Sequence, residues 1–459
     1  MFRWLTRIAK FLLGFIFVVA LGLTGLNYLG VYLDEERIED IDLLPLTNVP
    51  SELNAFDDIE TALDEYQGGV WLSLSELRGE SWNVDKANQL ILEHAQLLDK
   101  VSLALEKKQF MTHPVGFEFD FPDYALYLGI VDLLIVRSRL TAKQGDYSAS
   151  LADVSLAVRF AQAVKTDESG ILISYLIGIV MENRTLNWLH RFVSNYELSL
   201  DHLTRAGELM ELIPNYQNDQ FELVLSGEFA YMQTYSSAAA NPPFLERFGY
   251  LFDGTLSMRN AFTEHSDWVT LLSIPSHHFF FQGHRTFNQT YRRLKHLQPQ
   301  LSQSFCTDIT YYHKGKQDAH ALSAIGMNVL GEQSDDYWVQ YIQRRCLANF
   351  YIQAIKTMVA IKRYSVESAT ELERLEQLVP NYLNELPKDP FTGDVILFND
   401  QAQTIYSRGL NAVDNGGAQK NYYLGCWRTQ ACANNPTISM NIDLDDISAT
   451  AQYEKNVSQ

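Results

Sequence analysis

The chain has 459 residues, 46% of them hydrophobic and 20% charged, a globular mixture that excludes a disordered or fibrous protein. Acidic residues outnumber basic ones by 56 to 36, a net charge of -20. That balance argues against nucleic acid as the principal partner, because phosphate binding needs a basic footprint.

Residues Phe11 to Leu33 are almost uninterrupted apolar sequence, with Thr24 and Asn27 the clearly polar members. A helix needs about 20 residues to cross the hydrocarbon core, so this stretch predicts a membrane span. Arg3, Arg7 and Lys10 precede it, and the segment from Asp34 to Asp42 that follows holds six acids against Arg37. Positive flanks stay in the cytoplasm, which predicts an N-terminus inside and a body outside. The alternative is a cleaved signal peptide with a small-x-small site at Ala20-Leu21-Gly22. The apolar run continues past that site to Leu33, which favours an uncleaved anchor over residues 1–33.

From about Asn83 to Gln340 the pattern predicts an all-α body. Asn83 or Asp85 caps a helix carrying Leu90, Leu97, Val101 and Leu105. Tyr124 to Lys143 places Leu126, Ile130, Leu133, Val136 and Leu140 on one side at helical spacing. Gly145-Asp146-Tyr147 turns the chain into a further helix with Leu151, Val154, Val158 and Ala161. Gly145, Tyr147, Ser150, Val154 and Ala157 fall where a tetratricopeptide unit puts its turn glycine, aromatic and packing residues, so this helical pair resembles one such unit. Leu134 stands at that repeat's tryptophan position and Gln162 at its terminal proline position. Further helices are predicted at Leu172 to Asn195, Leu200 to Leu212, Gln220 to Tyr235, Arg285 to Gln298 and Asp335 to Tyr364.

Short catalytic motifs are scarce. There is no Gly-x-Ser-x-Gly elbow, His-Glu-x-x-His, phosphate-binding glycine loop, dinucleotide fingerprint or Cys-x-x-Cys. Two candidates stand out. Glu228 is an acid in the mostly apolar helical stretch Leu223 to Ala230, where burial would raise its pKa and suit a general acid or base. The bland reading pairs it with Arg184 or Arg191. His277, His278 and His284 lie close enough in sequence to serve a transition metal; the bland reading is a loop and helix start beside an aromatic run.

The four cysteines, Cys306, Cys346, Cys426 and Cys432, all lie in the last third. An even count in an exported chain suggests disulfides, with three connectivities available. Cys426 and Cys432 are six apart in a loop-like stretch and can close a small ring, leaving Cys306 for Cys346. No pair has the Cys-x-x-Cys spacing of a zinc ribbon.

The segment from Leu375 to Gly393 ends in Leu386-Pro387-Lys388-Asp389-Pro390-Phe391-Thr392-Gly393. Val395 to Phe398 and Gln403 to Tyr406 then predict a β-hairpin around Asn399-Asp400, followed by Ser407-Arg408-Gly409 and Asp414-Asn415-Gly416-Gly417. This order resembles the C-terminal half of the type II secretion major pseudopilin. The resemblance implies a long helix packed on a small α+β unit, over residues 341–459, after a helical domain at 34–340. It also implies calcium held by carboxylates: Asp414 stands in the matching loop, with Asp443, Asp445 and Asp446 after an insertion. Gly14-Phe15 can mimic the family's processing site, but Val19 stands where the family has glutamate.

The whole arrangement is similar to a group of uncharacterised bacterial envelope proteins with an anchor, a helical body and this ending. The resulting expectation is a mainly α protein of the bacterial inner membrane, single-pass, with its body in the periplasm. Its expected role is binding or scaffolding of an envelope partner, without enzymatic activity. The alternatives are an accessory component of a type II secretion or type IV pilus-like system, and an envelope hydrolase using Glu228 or the histidine cluster.

Overall fold

The computed structural model describes residues 2–39, 49–66, 82–112, 122–214, 222–230, 335–401, 404–409 and 438–441, with further positions between 284 and 298, and Asp414 and Gly416. The protein is mainly helical. Eight of its described helices are labelled in chain order: α1 Phe2–Tyr32, α2 Ala55–Asp64, α3 Val84–Ala104, α4 Tyr124–Lys143, α5 Tyr147–Lys165, α6 Leu172–Asn195, α7 Leu200–Glu211 and α8 Asp335–Ser368. Short helical stretches also occupy 222–230 and positions between 284 and 298.

Local sequence explains where most of these helices begin. Five of the seven helices after α1 follow a side chain that accepts a hydrogen bond from the first turn. Asn54 accepts from Phe56 N–H, Asn83 from Lys86, Asp123 from Ala125, Asp146 from Ala149 and Ser199 from His202. Helix α6 is different, because its N-cap is Ile171, which offers no acceptor. Helix α2, absent from the sequence expectation, buries Ala55, Ile59, Ala62 and Leu63 at helical spacing.

The turn between α4 and α5 forms at Gly145, whose φ of 84° is one that L side chains rarely adopt. Across it, Ser138 and Ser150 hydroxyls lie 2.8 Å apart and Trp188 Nε1–H donates to Ser138 at 2.7 Å. Tyr147 packs edge-on against Phe192, Tyr196 and His202. These contacts tie α4 and α5 to α6 and α7.

Helix α5 separates two hydrophobic cores. Leu156, Ala157, Phe160, Ala161 and Val164 join α2, α3 and α4 in one. Leu151, Val154 and Val158 face the other, which runs through α6, α7 and α8 to Leu378, Phe391 and Ile405. The expected division at 340/341 falls inside α8, and this second core is continuous across it.

Beyond α8 the chain forms a 3-10 turn at Leu375–Leu378 and then a buried turn centred on Asp389. The Asp389 carboxylate accepts from Phe391 N–H at 2.8 Å. Burial pushes its pKa up, while hydrogen bonds from Phe391, Ser407, Arg408 and Thr392 pull it back. Strands β1 Leu397–Asn399 and β2 Thr404–Ser407 pair antiparallel, with Asn399 opposite Thr404. The strands therefore lie one or two residues later than the alternation alone places them. A third strand, β3 Ile438–Asn441, pairs antiparallel with the other edge of β2 and was not expected. All four β2 residues are buried, consistent with a central strand that also meets α8.

The segment leaving α1 is fastened to the body. Asp34 accepts from the backbone N–H groups of His284 and Arg285, each at 2.9 Å, and so caps a helical stretch 250 residues away. Asn288, itself buried, accepts from Ile38 N–H at 2.9 Å and donates to the Glu36 carbonyl at 2.7 Å. Glu35 sits near Arg285 and Arg292, at 3.8 and 3.4 Å. The Arg37 guanidinium lies 4.2 Å above the Phe287 ring.

Among the described residues no helix is long and apolar enough to cross a membrane. The case for a span therefore rests on the sequence of the whole segment.

Candidate functional site

Helix α6 starts at the centre of the richest polar cluster among the described residues. Its own cap is missing, and Glu228 replaces it: Oε1 accepts from Leu172 N–H at 3.0 Å. The approach is close because two glycines meet there. A Cβ on Gly170 would lie 2.3 Å from the Leu223 carbonyl oxygen, and one on Gly227 would lie 2.3 Å from Gly170. Gly170 also has φ of 69°, so glycine is needed there twice over. Burial raises the Glu228 pKa above its ordinary value, and the Leu172 N–H opposes that rise.

One turn earlier, Asp167 is 3% exposed. It accepts from Thr112 N–H at 3.0 Å, from the Thr112 hydroxyl at 2.7 Å and from Ser169 N–H at 3.0 Å. Along α6, Ser174 Oγ lies 2.7 Å from the Tyr124 hydroxyl. Tyr127, on the next turn of α4, donates to Glu60 of α2 at 2.6 Å. The Glu60 pKa is raised, first by burial and then by the charges of Asp64 and Asp123, against the Tyr127 hydrogen bond. Burial drives both phenols well above their ordinary value.

Ten residues into α6, Glu182 meets Lys165 of α5 at 2.6 Å, and both side chains are 0% exposed. Gln162 donates to the same Glu182 oxygen. Burial lowers the Lys165 pKa, and Glu182 pulls it back up.

These groups are mutually satisfied. The cluster joins α2, α4, α5, α6 and the 222–230 stretch, and it is built to hold helices in register. Glu228 does not pair with Arg184, whose guanidinium instead holds Asp132 at 2.8 Å. The three histidines divide: His284 lies against the strap, with Nδ1 3.1 Å from the Glu35 carbonyl oxygen, whereas His277 and His278 lie outside the described residues. Asp414 Oδ1 accepts from the Tyr406 hydroxyl at 3.1 Å and from Gly416 N–H at 2.9 Å. The other proposed calcium ligands, Asp443, Asp445 and Asp446, lie outside the described residues. Cys346 is buried and disulfide-bonded; Cys306, Cys426 and Cys432 lie outside the described residues. Among the described residues no three His, Cys, Asp or Glu side chains are placed to share a metal ion.

Sequence reasoning singled out Glu228 but missed Glu60, Asp167, Lys165 and Glu182. The available signal was an ionisable residue inside an apolar helical run, as in Val180-Met181-Glu182. Pairing it with its partner required the packing of α5 on α6.

The Glu228 geometry makes a pH prediction. A carboxyl whose folded pKa is raised contributes stability that is full below its unfolded value, near 4.5, and is lost as pH rises through the folded value. A glutamine side chain in its place would keep an oxygen for Leu172 N–H and could not ionise. Glu228→Gln should therefore gain stability relative to wild type as pH rises from about 4 to about 8. Urea midpoints at both ends of that range check this; parallel pH profiles for the two proteins would contradict it.

No family model, curated protein or solved structure matches this chain.

Proposed function

We propose that the chain is a single-pass protein of the bacterial inner membrane whose periplasmic body binds or scaffolds an envelope partner. The observation that carries the reading is the exposure of α1. Phe11, Leu12, Leu13, Ile16, Phe17 and Val18 are each more than half exposed, Phe11 at 75%. Consecutive helical residues lie about 100° apart, so these side chains point all round the axis and no one-sided protein partner would cover them. Lipid would cover every face, and the basic residues Arg7 and Lys10 fit the inner side. On this reading, the hydrogen bonds that tie Asp34 to Ile38 onto the body would hold it close to the outer leaflet.

The scaffold role is supported by the polar cluster, whose acids serve helix capping and pairing. A hydrolase would need Glu228 at an open cleft, yet its Oε1 is engaged with Leu172 N–H. The accessory-component reading has its own support in the C-terminal region, where α8 packs on β2 beside the Asp389 turn, as a pseudopilin-like unit would. Crosslinking of the full chain in cells separates the two by the partner captured, a secretion component or another envelope protein.

Alkaline phosphatase fused to the C-terminus of the full chain should be active and should stay in the membrane pellet through alkaline carbonate extraction. An inactive fusion, or release of the protein into the supernatant, would overturn the reading.

A further inference from the structure

Helices α7 and α8 do not close completely on one another. Between them lies a half-open cavity of about 150 Å³, lined by Gly207 and Glu208 of α7, by Val359 and Arg363 of α8, and by Tyr382 and Leu383, among others. A cavity of this size holds a molecule of about the bulk of benzene. Its walls combine apolar and aromatic groups with two acids, Glu208 and Glu211, and two bases, Lys356 and Arg363.

Arg363 is the unusual member. Its guanidinium lies 5.7 Å from the centre of the Tyr382 ring, and its Nε is buried with no hydrogen-bond partner. The neighbouring charges have other engagements. Lys356, two turns back on α8, pairs with Glu211 at 2.6 Å, and Glu367 accepts from the Tyr382 hydroxyl. Glu208 also lines the cavity. Gly207 provides the room: a Cβ there would stand 3.7 Å from an Arg363 terminal nitrogen and 3.8 Å from Val359, so any longer side chain would enter the cavity.

We propose that this cavity binds a small monocarboxylate with an apolar or aromatic body. The Arg363 terminal nitrogen that stands beside Gly207 is the donor a carboxylate in the cavity would meet, and its two oxygens match the guanidinium fork. The body of the acid would rest on Val359, Ala360, Leu383 and the Tyr382 ring. Inorganic phosphate fits less well, since it lacks an apolar body and brings a second negative charge past Glu208. This site deepens the binding reading above, and a titration of the purified chain tests the cavity whichever side of the membrane the body occupies.

The test uses the full chain in lipid nanodiscs and 4-fluorobenzoate as probe, followed by fluorine NMR line broadening. Saturable binding is expected, with 4-fluorobenzyl alcohol, the same body without the carboxylate, weaker by at least about tenfold. Arg363→Gln should weaken 4-fluorobenzoate by a similar factor. Gly207→Leu should abolish binding by filling the space, and Gly207→Ala should weaken it; thermal melts establish that each variant is folded. Absence of saturable broadening in the wild type would overturn the proposal. So would unchanged affinity in folded Arg363→Gln and Gly207→Leu, or displacement by phosphate at concentrations as low as those of the probe.

Discussion

Replacing Lys165 with methionine should destabilise the full chain by about 3–5 kcal/mol, because it removes the ammonium that faces the buried Glu182 carboxylate between two helices. Both side chains of the pair are 0% exposed, so water cannot take over the missing role. The loss would be a large share of the roughly 5–15 kcal/mol that holds a typical domain. Helix α6 offers no alternative placement, since a Cβ on Gly178 would lie 2.6 Å from the Lys165 backbone. The two helices are locked at this crossing. Replacing both partners, Lys165→Met with Glu182→Leu, should recover most of the loss, because an apolar pair of similar volume leaves no charge to desolvate. Urea denaturation followed by far-UV circular dichroism gives all three values. Single variants within about 1 kcal/mol of wild type would show that the pair is not dry.

Gly170→Ala should be nearly as damaging, at about 3 kcal/mol or more. Two costs combine: a non-glycine residue held at φ of 69° and a methyl group driven against the Leu223 carbonyl oxygen. Gly227→Ala meets only the steric cost, so it should destabilise less, by about 1–3 kcal/mol. Either change pushes the 222–230 stretch away from α6 and takes Glu228 off its cap. Hydrogen exchange at the Leu172 amide should therefore quicken in both variants, by more than the loss of global stability explains. Alanine variants that melt with wild type and protect that amide equally would refute the close approach.

How much of this could be read from the sequence depends on the range of the interaction. Helices α3 to α7 were legible because their apolar spacing, and for α3 the cap at Asn83, are local signals. Helix α2 carries the same signals in Asn54 and the spacing of Ala55, Ile59, Ala62 and Leu63, but ten residues is a short window in an acidic stretch. The hairpin was legible from Asn399-Asp400. Strand β3 was not, because it joins β2 across about thirty intervening residues and four residues show little alternation. The cluster at the start of α6 was visible only as one odd acid, Glu228. Its meaning depended on what α6 lacks, a cap at Ile171, and on two glycines 57 positions apart that allow the backbones to touch. No spacing rule carries that information.

The shared core has a consequence for the order in which the protein can be made. Helices α6 and α7 present Phe192, Leu203, Ala206 and Met210 to a core that α8 completes with Phe350, Ile355, Met358 and Val359. About 160 residues separate the end of α7 from the end of α8, which at 5–20 residues per second is a delay of about 8 to 30 s during synthesis. Through that interval the newborn helices carry a bare greasy face, and a holding chaperone would find its substrate there. Truncation between the end of α7 and the end of α8 would make that wait permanent, so a chain stopped there should aggregate or be degraded, whereas one stopped just after Ser368 keeps the helix that completes the core.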